Sequence, residues 1–477
     1  MPVIHDLIRK EILSYLLSLR FLLALLLTIS LFSVSGFVYV ARYKQQSQDY
    51  WSQTNENISK LSDSSKQLYK LAFAWQGFWR KPKPLTLCAE GSERYLPNLV
   101  RCTVFDIRAP RVSNRENFLL HRFSDIDWVF IIAIPLSFVA LLFTYDSLCG
   151  EKEAGTLRLM LSGSIPRHKI LIGKYVGALL AFAIPLFVGL LISLIIVVSS
   201  RVVETHATDW LRLLAIFLLS LLYLSLFLLL GMFVSSRVAH SVSSIVILLL
   251  LWAGLVVLIP SFGSIIAQAT VHLPPTGQFR ESLVNTMRQF DRDAEAGKYG
   301  RNAHELWQED RNHPSVNPPA AARYCNEKAA AMNKLWDQLY NQTLAQAHAG
   351  RNAVCLSPIV LYQRAAEAIA GTGIQRCADL YRQTRHYQDD LRQYILDQDK
   401  DDPNSLHLLF DNEFSVEKWT AISKKSVDFA GVPKFEERDR SFAESLRSAV
   451  WDVGALTLFN VLFFGASFVS FLRYDVR

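Results

Sequence analysis

Residues 145–177 read YDSLCGEKEAGTLRLMLSGSIPRHKILIGKYVG, a short charged segment set between two apolar runs, Trp128–Phe143 and Ile170–Val198. With its flanking residues each run approaches or exceeds the roughly 20 helical residues that cross a bilayer core of about 30 Å. Within the segment the acids Glu151 and Glu153 come first, then Gly155-Thr156, a short apolar and basic helix over Leu157–Leu161, and a small-residue break at Ser162–Ser164. Pro166 and a basic cluster (Arg167, His168, Lys169, Lys174) lead into the next run. Lysine and arginine beside membrane spans mark the cytoplasmic side. The stretch predicts a short helix held under the membrane between two spans, open to a cytoplasmic partner.

The 477 residues are 51% hydrophobic and 19% charged, with a mean hydropathy of +0.18. That is too apolar for an ordinary soluble protein and too charged for one lying wholly in the membrane, so several spans and a sizeable polar domain are expected. The net charge of +7 does not call for nucleic acid. Many of the cations sit beside apolar runs, where membrane orientation accounts for them.

Worked outward from the charged segment (145–169), the pattern gives six transmembrane helices in an α-helical polytopic membrane protein. The spans are 21–41, 127–144, 170–200, 210–234, 241–260 and 448–472, the third with Pro185 inside it. The first is expected to be an uncleaved anchor, since it exceeds a signal-peptide core and Val38–Ala41 is a poor cleavage signature. Residues 1–20 carry Ile4, Ile8, Ile12 and Leu16 at helical spacing, with Asp6, Arg9, Lys10 and Glu11 on other faces. They read as an interfacial helix, the alternative being the start of the first span. Residues 201–209 form a short outer loop, and 235–240 an inner turn with Arg237 and no acid. The tail 473–477 lies inside, so both termini are cytoplasmic in a multi-pass protein of a bacterial inner membrane.

Two extracytoplasmic segments result. In 42–126, Lys44–Trp75 has helical spacing of Leu61, Leu68 and Leu71, and Pro82–Arg111 shifts to turn and β-favouring residues. A small strand element is expected there. In 261–447, Pro318-Pro319 starts a long helix ended by Gly350, and another follows Gly371-Thr372-Gly373 and stops at Asp402-Pro403. The two are expected to form a hairpin standing off the membrane. Cys88, Cys102, Cys325, Cys355 and Cys377 fall on this oxidising side and Cys149 inside. Cys88–Cys102 is the preferred disulfide and Cys355–Cys377 the second, with reduced, packed thiols as the alternative.

Several chemistries find no support. There is no GxxxxGK[ST] phosphate loop, so ATP hydrolysis would fall to another polypeptide. His304-Glu305-Leu306-Trp307-Gln308 imitates HExxH but has Gln308 where the second zinc ligand belongs. No GxSxG elbow, CxxC or HxxxH grouping occurs, and no catalytic, cofactor-binding or metal residues are assigned. The spans are almost free of charge, which argues against ion-coupled transport. Aromatic residues at Trp75, Trp79, Trp128, Trp210 and Trp451 fit an interfacial belt.

Glu-x-Glu-x-Gly-Thr-Leu from Glu151, with Leu-Ser, Ile-Pro-Arg and Gly-Lys-Tyr-x-Gly, resembles the first cytoplasmic loop of type-2 ABC exporter permeases. Pro84-Leu85, Glu90-Gly91, Ser357-Pro358, Gly371-Thr372-Gly373 and the ending Arg473-Tyr474-Asp475-Val476-Arg477 extend the likeness over nearly the whole chain. Within that group it is most similar to permeases with a large extracytoplasmic insertion and to the permease of nitrous oxide reductase maturation systems. The resemblance implies a cytoplasmic ABC ATPase dimer holding ATP and Mg, a second permease, identical or paralogous, and a connecting helix at 1–20. It implies that Glu151, Glu153, Gly155, Thr156, Leu157, Arg158, Arg167 and Lys169 form a coupling helix seated in the ATPase. The alternative is a solvated loop whose charges only enforce topology. Export of a hydrophobic, lipid-like or peptide substrate is expected. The alternatives are force transmission to a periplasmic or outer-membrane partner, or a receptor, for which no inner segment is long enough to hold a signalling module.

Overall fold

The computed structural model describes residues 2–91, 99–108, 126–162, 166–204, 206–299 and 317–473. The amphipathic start forms α1 (Pro2–Leu16), and Ser18 caps the next helix by accepting from Phe21 N–H. That helix, α2 (Leu19–Ser64), does not stop at the far membrane surface near residue 41. It runs on for 46 residues, about 69 Å at 1.5 Å per residue, because nothing between the apolar half and the polar half breaks it. The short helix α3 (Leu68–Phe73) leads into a three-stranded antiparallel sheet, β1 (Gln76–Trp79), β2 (Leu99–Cys102) and β3 (Ile107–Arg108). Gln76 pairs with Cys102, and Arg101 with Arg108.

The second span, α4 (residues 128–144), is α-helical except for a π-helical turn at Ile132–Leu136 containing Pro135. Two short helices follow, α5 (Cys149–Glu153) and α6 (Thr156–Ser162). Then come α7 (Arg167–Ser199), α8 (Ala207–Arg237) and α9 (Ser241–Thr270), the last with its own π-helical turn at Ala253–Leu258. The polar domain adds α10 (Thr276–Glu295), α11 (Pro318–Ala353), α12 (Pro358–Ala370), α13 (Ile374–Asp399) and α14 (Glu413–Lys418). Finally α15 (Phe442–Leu472) opens on a Ser441/Glu444 capping box. Among the described residues six helical stretches are long and apolar enough to cross a membrane. The protein is a polytopic helical membrane protein with a small sheet.

Three of the expected features are corrected. Gly350 does not end α11, which continues to Ala353; it lies against Gly263 and Ala267 of α9, where a Cβ would come within 2.8 Å of Ala267 Cβ. The polar segment is also not a plain hairpin. Between its two long helices, α12 turns back and buries Leu361, Tyr362, Ala365, Ala366 and Ile369 in the same core as α2, α4, α7, α8 and α15. A separate core of the polar domain joins the sheet to α3, α11 and α13. The expected disulfides do not form either, no two of the six cysteines being bridged. Cys88 belongs to the bundle core and Cys102 to the polar-domain core, so the two flank different hydrophobic centres. Cys355 is exposed, while Cys377 is buried beneath Tyr340, whose hydroxyl donates to its carbonyl. The HExxH-like segment at 304–308, residues 109–111 of the strand-rich stretch and residues 474–477 of the tail lie outside the described residues.

The polar domain carries a pH response. Burial, then the nearby Asp106 carboxylate, push Asp411 up to about 6 against the pull of Lys328. A folded-state pKa above the ordinary value of about 4 means that the fold holds a proton the unfolded chain has released. Stability therefore falls as pH rises between those two values and is level above them. Asp411→Asn is expected to flatten that slope and raise the melting temperature at pH 7 more than at pH 4, read by thermal unfolding.

Candidate functional site

The charged segment folds into a clamp. Three consecutive side chains of α5 reach three different partners. Glu151 accepts from Lys174 Nζ at 2.6 Å, and the same ammonium reaches Glu11 of α1 at 3.1 Å. Lys152 donates to the carbonyls of Ser236 (2.6 Å) and Val238 (3.1 Å), where α8 ends and its carbonyls point outward. Glu153 accepts from Ser241 N–H (3.0 Å) and Oγ (2.6 Å), at the first turn of α9, whose N–H groups lack helical partners. Ser235 adds its hydroxyl as acceptor for Leu148 and Cys149 N–H, both at 3.0 Å. Thus α5, a direct continuation of the second span, also holds the ends of the fourth and fifth and, through Lys174, touches the third.

Lys174 stands inside Gly173-Lys174-Tyr175-Val176-Gly177, a small-xxx-small spacing that lets helices approach closely. A Cβ at Gly177 would lie 2.6 Å from Glu11 Cβ, and one at Gly173 3.1 Å from Leu7 Cβ. So α1 packs along α7 at these glycines, and Glu11 lies on the packed face of α1, not among its exposed charges. Arg20 then grips Asp146 with both nitrogens (2.8 and 2.7 Å) over the Tyr145 ring.

The turn from α5 to α6 is made by Gly155 at φ +70°, with nothing within 4 Å of a Cβ built there. Its need is for backbone conformation only, a preference worth roughly 1–2 kcal/mol over other residues. Leu157 is fully buried among Leu148, Ile170, Leu171, Met232 and Phe471, and it anchors α6. Thr156 is exposed, and Leu159 is 77% exposed on the side away from the bundle.

The residues singled out from sequence divide accordingly. Glu151 and Leu157 face inward, while Glu153 is exposed and joins the clamp through its bonds to Ser241; Gly155 and Thr156 face outward. Arg167 donates to Leu472 O at 2.8 Å, at the end of α15, and Lys169 lies in the first turn of α7, half-buried. Arg158 lies on α6, its side chain outside the described residues. Sequence reading missed Glu11, Lys152, Lys174 as an ion-pair centre, Ser241 and Leu159. The glycine spacing around Lys174 was the available signal for the first helix, since it marks where another backbone comes close.

At the opposite end of the bundle a second polar node forms. Thr372 Oγ1 donates to Ala89 O at 2.7 Å, and Lys83 Nζ to Gly371 O at 2.8 Å. Glu367 of α12, with a 3% exposed side chain, is held by Arg351 through both oxygens (2.7 and 2.5 Å). Its carboxylate fills the space beside Gly91 and Gly373, where Cβ atoms would stand 2.1 and 2.6 Å from its oxygens. Arg212, at the start of α8, donates to Ile369 O (2.7 Å) and Arg440 O (2.8 Å). Burial, reinforced by Arg376, holds Lys83 below the usual lysine range while Asp439 at 2.8 Å opposes the shift. The stretches 84–91 and 371–373 are thus one joint between bundle and polar domain.

A family model described as ABC-2 family transporter protein matches residues 6–476. Among curated proteins, a probable ABC transporter permease protein NosY of Stutzerimonas stutzeri is 45% identical over 51 residues, 11% of this chain and 18% of that protein. Its counterpart in Pseudomonas aeruginosa is 41% identical over 51 residues, with the same coverage. The chain matches less than a fifth of the length of these relatives.

Proposed function

Because the chain belongs to the ABC-2 family of transporter proteins, and is thereby the membrane subunit of an ABC transporter, we propose that it converts ATP hydrolysis by a separate cytoplasmic ATPase dimer into movement of its spans. The observation that carries this reading is the α5–α6 clamp. One rigid element grips the ends of several spans with Glu151, Lys152 and Glu153 and offers Thr156 and Leu159 to a partner. A push on α6 is passed to those spans together, since charge-assisted hydrogen bonds are short and directional. ATP and Mg bind the partner, and this chain does no chemistry. The clamp end, with both termini, faces the cytoplasm of a bacterium, and a second permease, the same or a paralogue, completes the transporter.

Two readings of the output stand. The first is export of a hydrophobic, lipid-like or peptide molecule between two such subunits. The second is force transmission, in which the polar domain acts on a periplasmic or outer-membrane protein. The burial of α12 in the bundle favours the second, because it fastens the polar domain to the spans that move.

Leu159→Asp is expected to abolish ATPase stimulation in the assembled complex while thermal stability of the permease stays unchanged, since this side chain lies outside the core. Full stimulation in the variant would remove α6 as the contact. A hydrophobic small molecule released from the purified complex on ATP addition marks export; an ATP-dependent change in hydrogen exchange of the polar domain without such release marks force transmission.

A further inference from the structure

The π-helical turns of the second and fifth spans each leave one backbone carbonyl without its helical donor, and the fold treats both alike. In α4, Ser137 N–H bonds to Ile132 O, five residues back, which strands Ala133 O. Tyr223 OH, from α8, donates to that oxygen at 2.9 Å, and Ser137 Oγ at 2.6 Å. In α9, Ile259 N–H bonds to Gly254 O, again five back, which strands Leu255 O. Ser357 Oγ, at the head of α12, donates to it at 2.5 Å.

These satisfiers meet on α12. Tyr223 stacks on Tyr362 of α12, with centroids 4.5 Å apart and planes at 19°, and the Tyr362 hydroxyl hydrogen-bonds Ser220 Oγ at 2.9 Å. The two spans are also linked directly, Trp252 Nε1 donating to Ser137 Oγ at 2.9 Å. A ring therefore closes from Ser357 through α12 to Tyr362, Tyr223, Ala133, Ser137 and Trp252, and back along α9 to Leu255. Ser357, Tyr362 and Tyr223 are fully buried, so bulk water does not reach these hydroxyls.

We propose that α12 is the transmission element of the molecule, setting the helical register of the second and fifth spans through the two stranded carbonyls. The proposal rests on the ATP-coupled reading above. Both spans have their clamp ends fixed by α5, α4 by continuity and α9 through Glu153. A π-turn holds one residue more than the α-turn it replaces. Moving or absorbing it shifts the helix by about 1.5 Å and turns it by about 100° per residue, from the geometry of the α-helix. When a π-turn is absorbed, the stranded carbonyl regains an N–H partner and no longer needs its hydroxyl. Ser357 and the Tyr362–Tyr223 stack are then released, and α12 reseats. Because α12 leads through Gly371-Thr372-Gly373 into α13, the displacement reaches the polar domain.

The test is hydrogen–deuterium exchange on the full chain assembled with its ATPase, with and without ATP, in wild type, Ser357→Ala, Tyr223→Phe and the double variant. Wild type is expected to show ATP-dependent changes both in 145–162 and in 374–399. In the double variant the first change persists and the second falls by half or more. Ser357→Thr, which keeps a hydroxyl, is expected to behave as wild type. If the double variant does not assemble, the Ser357→Ala and Ser357→Thr pair decides alone. An undiminished change in 374–399 in the variants overturns the proposal. Absence of any ATP response at 145–162 in wild type overturns the functional reading, and this inference with it, since the relay then has no input.

Discussion

Lys174→Met is expected to disable the protein more than any other single change at the clamp. The ammonium is 5% exposed and lies between Glu11 (13%) and Glu151 (22%). Without it, two carboxylates that repel each other remain in a site closed by the contact of α1 with Gly173 and Gly177. Removing one partner of a buried ion pair costs about 3–5 kcal/mol, a large part of the stability of a typical domain. The expected readout is a large drop in the melting temperature of the purified permease, with loss of ATPase stimulation. The triple variant Glu11→Gln, Glu151→Gln, Lys174→Met is expected to recover much of the stability, because no uncompensated charge is left. A Lys174→Met protein that melts like wild type would show that the triad does not hold α1 to the bundle.

The second large effect is expected at the opposite joint. Arg351→Met leaves the Glu367 carboxylate in a pocket walled by Gly91 and Gly373, with the Gln363 amide at 3.1 Å still donating to it. An amide hydrogen bond does not replace a guanidinium on both oxygens, so a loss of about 3–5 kcal/mol is again expected. The loss should appear as proteolytic release of the polar domain under conditions that leave wild type intact. Adding Glu367→Gln to Arg351→Met is expected to restore protection, since a neutral amide needs no counter-ion. If the single and double variants are cut at equal rates, the ion pair is not what seats α12. The two effects should be additive, as the sites lie at opposite ends of the bundle and share no partner.

These two sites show how differently sequence speaks about charge. At the clamp, Glu151, Glu153 and the following basic residues are visible as a charged break between apolar runs, so an element under the membrane is legible. Their partners are not. Lys174 reads as one more cation at a span's cytoplasmic end, although it is a buried centre reaching Glu11, 163 residues away. At the joint, the 13-residue stretch PIVLYQRAAEAIA is too short for a span and contains Arg364 and Glu367, which suits a surface helix of the polar domain. It is buried because Arg351 neutralises Glu367, because Ser220 and the π-turn of α9 offer it polar partners, and because Tyr223 stacks on its Tyr362. None of these conditions is local.

The sequence alone determined the helical membrane class, the six apolar stretches and the charged element between the second and third. Local hydropathy and length suffice for these, because a bilayer selects segments one at a time. Only the tertiary structure decided that α2 continues as one helix into the polar domain, that Cys88 and Cys102 sit in separate cores, and that α12 returns to the bundle. It alone brought Glu90-Gly91 against Gly371-Thr372-Gly373. Such outcomes depend on which distant group arrives to satisfy a buried charge or a stranded carbonyl, and that is a property of the packed chain rather than of any window along it.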